Sequence, residues 1–155
     1  MNKWFFLDTS ALFKEYHDEK GSDALHDIFK QAGNGRIVLC ISVLTISEIL
    51  NTLDKIRRRH IISDSECVTV ADTILYDIAE LTEKEGMEIY EPTQEIIRSS
   101  WDLILTYHLS AIDAIQVITA MDCRADIFLA ADKYLLSQAY ETGIRTWNVE
   151  DTYEQ

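Results

Sequence analysis

Short apolar runs alternate with longer stretches of helical periodicity along the chain, and this alternation predicts its elements. Trp4-Phe5-Phe6-Leu7 reads as a buried strand. Helical patterns follow over about 10–17 and 22–32, and Gly33-Asn34-Gly35 breaks the second. Ile37-Val38-Leu39-Cys40-Ile41 is a second apolar run. From Ser42 to about Arg59, Ile46, Ile49, Leu50 and Leu53 recur at helical spacing, and another helical pattern covers about 64–84, ending at Gly86. A short strand, Met87-Glu88-Ile89-Tyr90, precedes Pro92. Helices are expected from Thr93 to about Tyr107 and from Ser110 to about Cys123. Ile127-Phe128-Leu129-Ala130 reads as a strand, Lys133 to Glu141 as a helix, and a last strand falls near Arg145-Thr146-Trp147.

Strands separated by helices pair in parallel, because a parallel crossover needs a long connection. Strands that are apolar throughout belong to a sheet covered on both faces. The expected fold is therefore α/β, a three-layer α/β/α sandwich around a central, mainly parallel sheet. The pattern leaves the strand order open. One domain over residues 1–155 is expected, since no Gly/Ser-rich or repetitive stretch marks a linker, and the chain has five glycines and one proline.

Composition narrows the classes. Apolar residues make up 47% of the chain, enough for a sizeable core. No run approaches a membrane span, and Asp8 interrupts the apolar start too early for a secretory signal. Cys40, Cys67 and Cys123 form no CxxC pair and lie among apolar neighbours, so buried, reduced thiols and a cytoplasmic location are expected. The net charge is −13, from 27 acids against 14 Lys+Arg. That charge argues against a generic nucleic-acid-coating surface. It suits a divalent metal, a basic partner, or solubility alone.

Four acids acquire meaning from this layout, because ligands of such sheets bind beyond the carboxyl ends of the strands. Asp8 ends the first strand and Asp132 follows the Ile127–Ala130 strand, each just before a helix. Glu48 lies in the second turn of the helix after the second strand, and Asp113 in the first turn of the Ser110–Cys123 helix. Helix capping accounts for Asp8 and Asp132 equally well. Ser110-Ala-Ile-Asp113 matches a capping box, in which Asp113 reaches back to a backbone N–H. Glu48, off the apolar stripe, has the pattern of a solvated residue. Against these readings, Asp113 opens a helix that is apolar nearly all round, and Asp8 follows four large apolar residues. Buried carboxylates must be paired, capped or metal-bound. So acidic a chain has few cations to spare for them, whereas a divalent ion neutralises the group at once.

The runs Leu7-Asp8-Thr9-Ser10-Ala11-Leu12, Ser47-Glu48-Ile49, Ile112-Asp113-Ala114-Ile115-Gln116 and Ala131-Asp132-Lys133-Tyr134-Leu135 resemble the PIN domain, more narrowly the PIN-domain ribonucleases of prokaryotic toxin–antitoxin pairs. The resemblance spans nearly the whole chain. It implies an endoribonuclease dependent on Mg²⁺ or Mn²⁺, with Asp8, Glu48, Asp113 and Asp132 as catalytic and metal-binding acids. Its products would carry a 5′-phosphate and a 3′-hydroxyl. It also implies that Ser10 helps order a metal-associated water or a phosphate. Two departures stand out: Ala130 occupies a position where the family often has Thr or Ser, which weakens the site near Asp132, and Gln116 one where it often has His, a change expected to matter less.

For an RNA substrate, Lys55, Arg57, Arg58 and Arg59, with His60, form the one dense basic run; a cationic helix terminus reads equally well. Lys14, one turn beyond Ser10, holds a phosphate or is a surface lysine. Trp4 and Trp147 are assigned to the core. The resemblance further implies a homodimer and a small antitoxin partner, which an acidic surface suits if the antitoxin has a basic tail. The alternative is a non-catalytic PIN-like module that binds RNA or protein, its acids only capping helices. Two other phosphoryl-transfer classes fit poorly: Ser10 stands where a haloacid-dehalogenase-type phosphatase needs a second Asp, and Asp8-Thr9 lacks a receiver domain's acidic pair.

Overall fold

The structure is a computed structural model and describes residues 2–151. Five strands form one sheet: β1 (Lys3–Leu7), β2 (Ile37–Ser42), β3 (Met87–Tyr90), β4 (Ile127–Ala130) and β5 (Thr146–Asn148). All neighbours pair in parallel, in the order β3-β2-β1-β4-β5. The helices are α1 (Thr9–Leu12), α2 (Ser22–Gly33), α3 (Val43–Arg58), α4 (Asp64–Glu83), α5 (Gln94–Tyr107), α6 (Ala111–Asp122) and α7 (Lys133–Glu141).

The continuous apolar strands divide residue by residue between two cores, as the two-residue period of a strand requires. Phe5 and Leu7 of β1, Leu39 and Ile41 of β2, and Ile127 and Leu129 of β4 face the layer of α1 to α4. Phe6, Val38, Cys40, Phe128 and Ala130 face the layer of α5 to α7. Phe6 and Phe128 stack across the β1–β4 pair with ring centroids 5.7 Å apart. The expected three-layer sandwich is thus present.

The chain winds outward from β1 through β2 to β3, then returns to place β4 on the other side of β1. The carboxyl ends of β1 and β4 therefore flank a topological switch point, where a crevice opens because the flanking connections depart to opposite faces. The backbone N–H of Asp8 donates to the Leu129 carbonyl at 2.9 Å, which fixes these two strand ends together.

Several local expectations change. The helix expected over 10–17 is one turn, α1, followed by a 3₁₀ turn at Phe13–Glu15. The last strand lies one residue later than read, and Trp147 is only half-buried there. Cys40 is fully buried, whereas Cys67 and Cys123 are half-buried; all three are free thiols. Trp4 and Trp147 pack against the two cores, as assigned.

Candidate active site

A cavity of about 490 Å³ opens at the switch point, and Asp8, Glu48, Asp113 and Asp132 all line it, with Thr9, Ser10, Lys14 and Thr52 among its other walls. The sheet delivers Asp8 and Asp132, and helices α3 and α6 deliver Glu48 and Asp113.

Asp8 is the most enclosed, only 4% exposed. It is the N-cap of α1, and its Oδ2 accepts from the Ser10 N–H at 3.0 Å and the Ser10 hydroxyl at 2.6 Å. The same hydroxyl accepts from the Ala131 N–H at 2.9 Å. Ser10 thus locks Asp8 to the loop after β4. Its hydrogen atom is spent on the carboxylate, so its evident task is to position Asp8. Burial is the main reason that the Asp8 carboxyl is pushed up to about 6; Ser10 opposes this, while the charges of Asp113 and Glu48 reinforce it.

Glu48 is not the solvated residue its position suggested. Its Oε2 accepts from Thr9 Oγ1 at 2.7 Å and from Gln116 Nε2 at 2.6 Å. Gln116 is fully buried, and its Oε1 accepts from Thr45 Oγ1 at 3.2 Å. The residue read as a minor departure therefore clamps the second acid. Burial raises the Glu48 carboxyl, the Thr9 hydrogen bond lowers it, and Asp113 raises it again; Gln116 and Lys55 lower it less. Thr9 and Gln116 were missed as site residues. The available signal was Gln116 itself, one amide within an apolar helix, since a buried polar residue is an informative exception.

Asp113 is half-buried, and the expected capping box is altered. Its Oδ2 accepts from the Ser110 hydroxyl at 2.7 Å, while its own N–H donates to that Oγ at 3.1 Å. Burial raises its carboxyl, the Ser110 hydroxyl lowers it, and Asp132 raises it. Asp132 is exposed and is the N-cap of α7, accepting from the Leu135 N–H at 3.0 Å. Ala130, buried beside it, supplies no hydroxyl.

The basic candidates fare differently. Lys14 is neither a surface lysine nor free for phosphate. It is 3% exposed and forms ion pairs with Glu150 at 2.9 Å and Glu19 at 3.3 Å. Arg57 pairs with Asp54 at 2.6 Å and Asp64 at 3.0 Å, and Arg58 with Asp54 at 2.9 Å. Lys55 and Arg59 are exposed and form no ion pair among the described residues. Lys55 lies two turns beyond Glu48 on the same face of α3.

The donor set suits a hard divalent cation: four carboxylates with oxygen donors only, one deeply buried, and none ion-paired among the described residues. Among the described residues, no three His, Cys, Asp or Glu side chains are gathered closely enough to form a ready-made cage. The acids line the cavity wall, which is the arrangement Mg²⁺ tolerates, since it retains several waters and uses few protein ligands.

Comparison with known proteins adds an independent line. A family model described as PIN domain matches residues 5–141. Among solved structures, PAE2754 from Pyrobaculum aerophilum superposes with a TM-score of 0.70 at 19% identity, over 97% of this chain and 92% of that one. FitAcB from Neisseria gonorrhoeae gives 0.65 at 14% identity, over 94% and 97%. VapC20 of Mycobacterium tuberculosis, described as a sarcin-ricin loop cleaving toxin, gives 0.57 at 14% identity, over 90% and 95%. No curated protein matches. At these identities the structural likenesses establish the fold.

Proposed function

Because the chain belongs to the PIN-domain family, we propose that it is a divalent-metal-dependent endoribonuclease whose active site is the cavity lined by Asp8, Glu48, Asp113 and Asp132. The observation that carries this reading is the convergence of four carboxylates on one cavity, with Asp8 buried in its wall. Asp8 is buried, its carboxyl raised to about 6, and the charges of Asp113 and Glu48 add to the rise. An arrangement that disfavours its own ionised form is one that a doubly charged ion relieves.

Mg²⁺ or Mn²⁺ held by these acids would supply Lewis acidity, offsetting phosphate charge and making water easier to deprotonate. The chain's own residues do the rest. Ser10 holds the Asp8 carboxylate in one orientation, and Thr9 and Gln116 hold that of Glu48. Glu48 orients the attacking water and accepts its proton. The new P–O bond forms in line with the breaking bond to the ribose 3′-oxygen, which takes a proton from solvent and leaves as a 3′-hydroxyl, and the phosphate stays on the 5′ side. Lys55, exposed beyond Glu48, is placed to meet a flanking phosphate; Lys14 is committed to Glu150 and Glu19.

The toxin-like neighbour from Mycobacterium tuberculosis supports a biological setting as the toxin of a toxin–antitoxin pair, with a basic antitoxin segment suited to a chain of net charge −13. Among the described residues no helix is long and apolar enough to cross a membrane. The alternative, a non-catalytic RNA- or protein-binding module, draws on one observation: Asp8, Asp113 and Asp132 each accept hydrogen bonds at a helix start, so capping alone occupies them.

RNA cleavage measured with Mg²⁺, Mn²⁺ or EDTA, for the wild type and Asp8→Asn, separates the readings. The enzyme reading expects cleavage only by the wild type with metal. Full activity of the variant, or in EDTA, overturns it, and the absence of both cleavage and any Mn²⁺-induced thermal shift favours the binding module.

A further inference from the structure

The two faces of the sheet separate the three cysteines. Cys67 of α4 packs against the core on the α1 to α4 side. Cys40 of β2 and Cys123, the C-cap of α6, share the core on the other side, where α6 packs on β2. There the two thiols meet, and their side chains hydrogen-bond to each other. The Cys123 S–H also reaches the Ala120 carbonyl at 3.3 Å, which holds its sulfur at the end of the helix. These two cysteines form no CxxC pair along the chain, so their meeting is a product of the fold.

Access divides the pair. Cys40 is fully buried. Cys123 is half-buried and lines a cavity of about 430 Å³ with Trp4 and Arg124, at the amino-terminal edge of the sheet. The acidic cavity lies at the opposite edge, beyond the carboxyl ends of the same strands. A small molecule entering the Cys123 cavity meets that sulfur first and has Cys40 behind it. Ionisation divides the pair in the same sense. The Cys40 hydrogen bond holds the Cys123 thiol below its ordinary value although burial opposes this, and the same bond, with burial, pushes Cys40 up. The thiolate is the reactive form of cysteine, so the accessible sulfur is also the better nucleophile.

We infer that Cys123 and Cys40 form a peroxide-reactive dithiol site, in which Cys123 is oxidised first and Cys40 resolves it to an intramolecular disulfide. The Cys123 thiolate attacks one oxygen of hydrogen peroxide. An S–O bond forms, the O–O bond breaks, and the departing hydroxide takes up the proton that Cys123 released, giving water and a sulfenic acid. The Cys40 sulfur then attacks the Cys123 sulfur. The S–S bond forms, the S–O bond breaks, and the second hydroxide leaves with the Cys40 proton as water. The two thiols lose two electrons and the peroxide gains them. A resolving neighbour stops oxidation at this reversible stage, short of sulfinic acid. The bond ties β2, which leads into the helix carrying Glu48, to the end of the helix carrying Asp113 and Gln116. The inference is independent of the nuclease reading.

Peptide mass mapping of the full chain tests it, after brief exposure to a small molar excess of hydrogen peroxide at neutral pH and alkylation of the remaining thiols. The folded wild type is expected to lose the mass of two hydrogen atoms and to yield a cross-linked peptide pair containing Cys40 and Cys123, with Cys67 alkylated. Dithiothreitol restores both thiols. Cys67→Ser cross-links at the wild-type rate. Cys40→Ala keeps a small apolar side chain in the core, forms no cross-link, and accumulates sulfenic acid at Cys123, trapped by dimedone about tenfold or more above the wild-type level. In Cys123→Ala, oxidation of Cys40 slows by about tenfold or more, because no accessible thiolate precedes it. A wild type without the linked peptides, a link that involves Cys67, or sulfinic acid at Cys123 in place of a link overturns the inference. So does a Cys40–Cys123 link that forms no faster in the folded chain than in urea, since the fold would then contribute nothing to the site.

Discussion

At the amino-terminal end of α3, Glu48 faces a cavity shared with three other carboxylates and takes neutral hydrogen-bond donors from Thr9 and Gln116. At the carboxyl end of the same helix, Arg57 and Arg58 fold back onto Asp54, and Arg57 also reaches Asp64. One end keeps charge uncompensated inside the molecule; the other cancels charge at the surface, where water would have screened it anyway. Counting acids and bases along the chain treats the two ends alike. Their availability differs: the acids at the switch point remain able to engage a cation, whereas two of the four bases in the basic run are already occupied.

The largest test of that contrast concerns Asp8 without metal. Its carboxyl rises from 3.8 to about 6 on folding, so the folded chain holds the proton more tightly than the unfolded chain does. Stability from this group is therefore complete below about pH 4 and is lost as pH rises through about 6. Asp8→Asn removes the titration while keeping an oxygen to accept from Ser10. In EDTA at pH 7 the variant is expected to be the more stable, by on the order of 3 kcal/mol, with the difference vanishing toward pH 4. Urea unfolding at the two pH values measures it. Saturating Mn²⁺ raises wild-type stability and narrows the gap, because the ion binds the folded state. A variant less stable than the wild type at pH 7 in EDTA would mean that the buried charge is already compensated.

The sequence made some of this visible. Strands β1, β2 and β4 were legible because they are buried on both faces, which removes polar alternation from the code. Asp8 and Asp132 were legible because Asp8 directly follows such a strand and Asp132 follows another with one residue between. The order β3-β2-β1-β4-β5, and hence the switch point that makes these two acids neighbours, depends on pairings between distant segments and leaves no local trace. Lys14 was misread for the same reason, since its partner Glu150 lies 136 residues away. Strand β5 was placed one residue early because it is short and only half-buried, so its pattern is weak. The pattern around Glu48 fits a solvated residue as well as a site acid, because helical periodicity locates the main core, and the side chains that hold Glu48 come from α1 and α6.

The second test asks whether those neutral donors matter. Gln116→Ala strips Glu48 of its 2.6 Å donor and leaves the Thr45 hydroxyl without its acceptor. An unsatisfied buried group costs about 1–3 kcal/mol, and the chain should lose that much stability. Loss of a residue that orients a metal-binding side chain costs about 10- to 100-fold, and kcat rather than KM should carry it. Gln116→His keeps a donor near Glu48 and is expected to recover most of kcat. A Gln116→Ala variant that cleaves RNA at the wild-type rate would show that Glu48 needs no clamp.

The smallest effects are expected at the other end of α3, and there the contrast is sharpest. Lys55 is exposed and forms no ion pair among the described residues, on the face that carries Glu48, while Arg57 is held by two carboxylates. If availability governs RNA contact, Lys55→Ala weakens RNA binding across sequences and reduces the dependence of log K on log salt by about one phosphate contact. Arg57→Ala leaves affinity and salt slope unchanged and has little effect on stability, as expected of exposed ion pairs. Arg59, exposed and likewise without an ion pair among the described residues, follows Lys55. Binding titrations at several salt concentrations, in an Asp8→Asn background to prevent cleavage, separate the three. If Arg57→Ala costs more affinity than Lys55→Ala, RNA displaces Asp54 and Asp64, and the pairs on α3 are a reserve of charge that the substrate draws on.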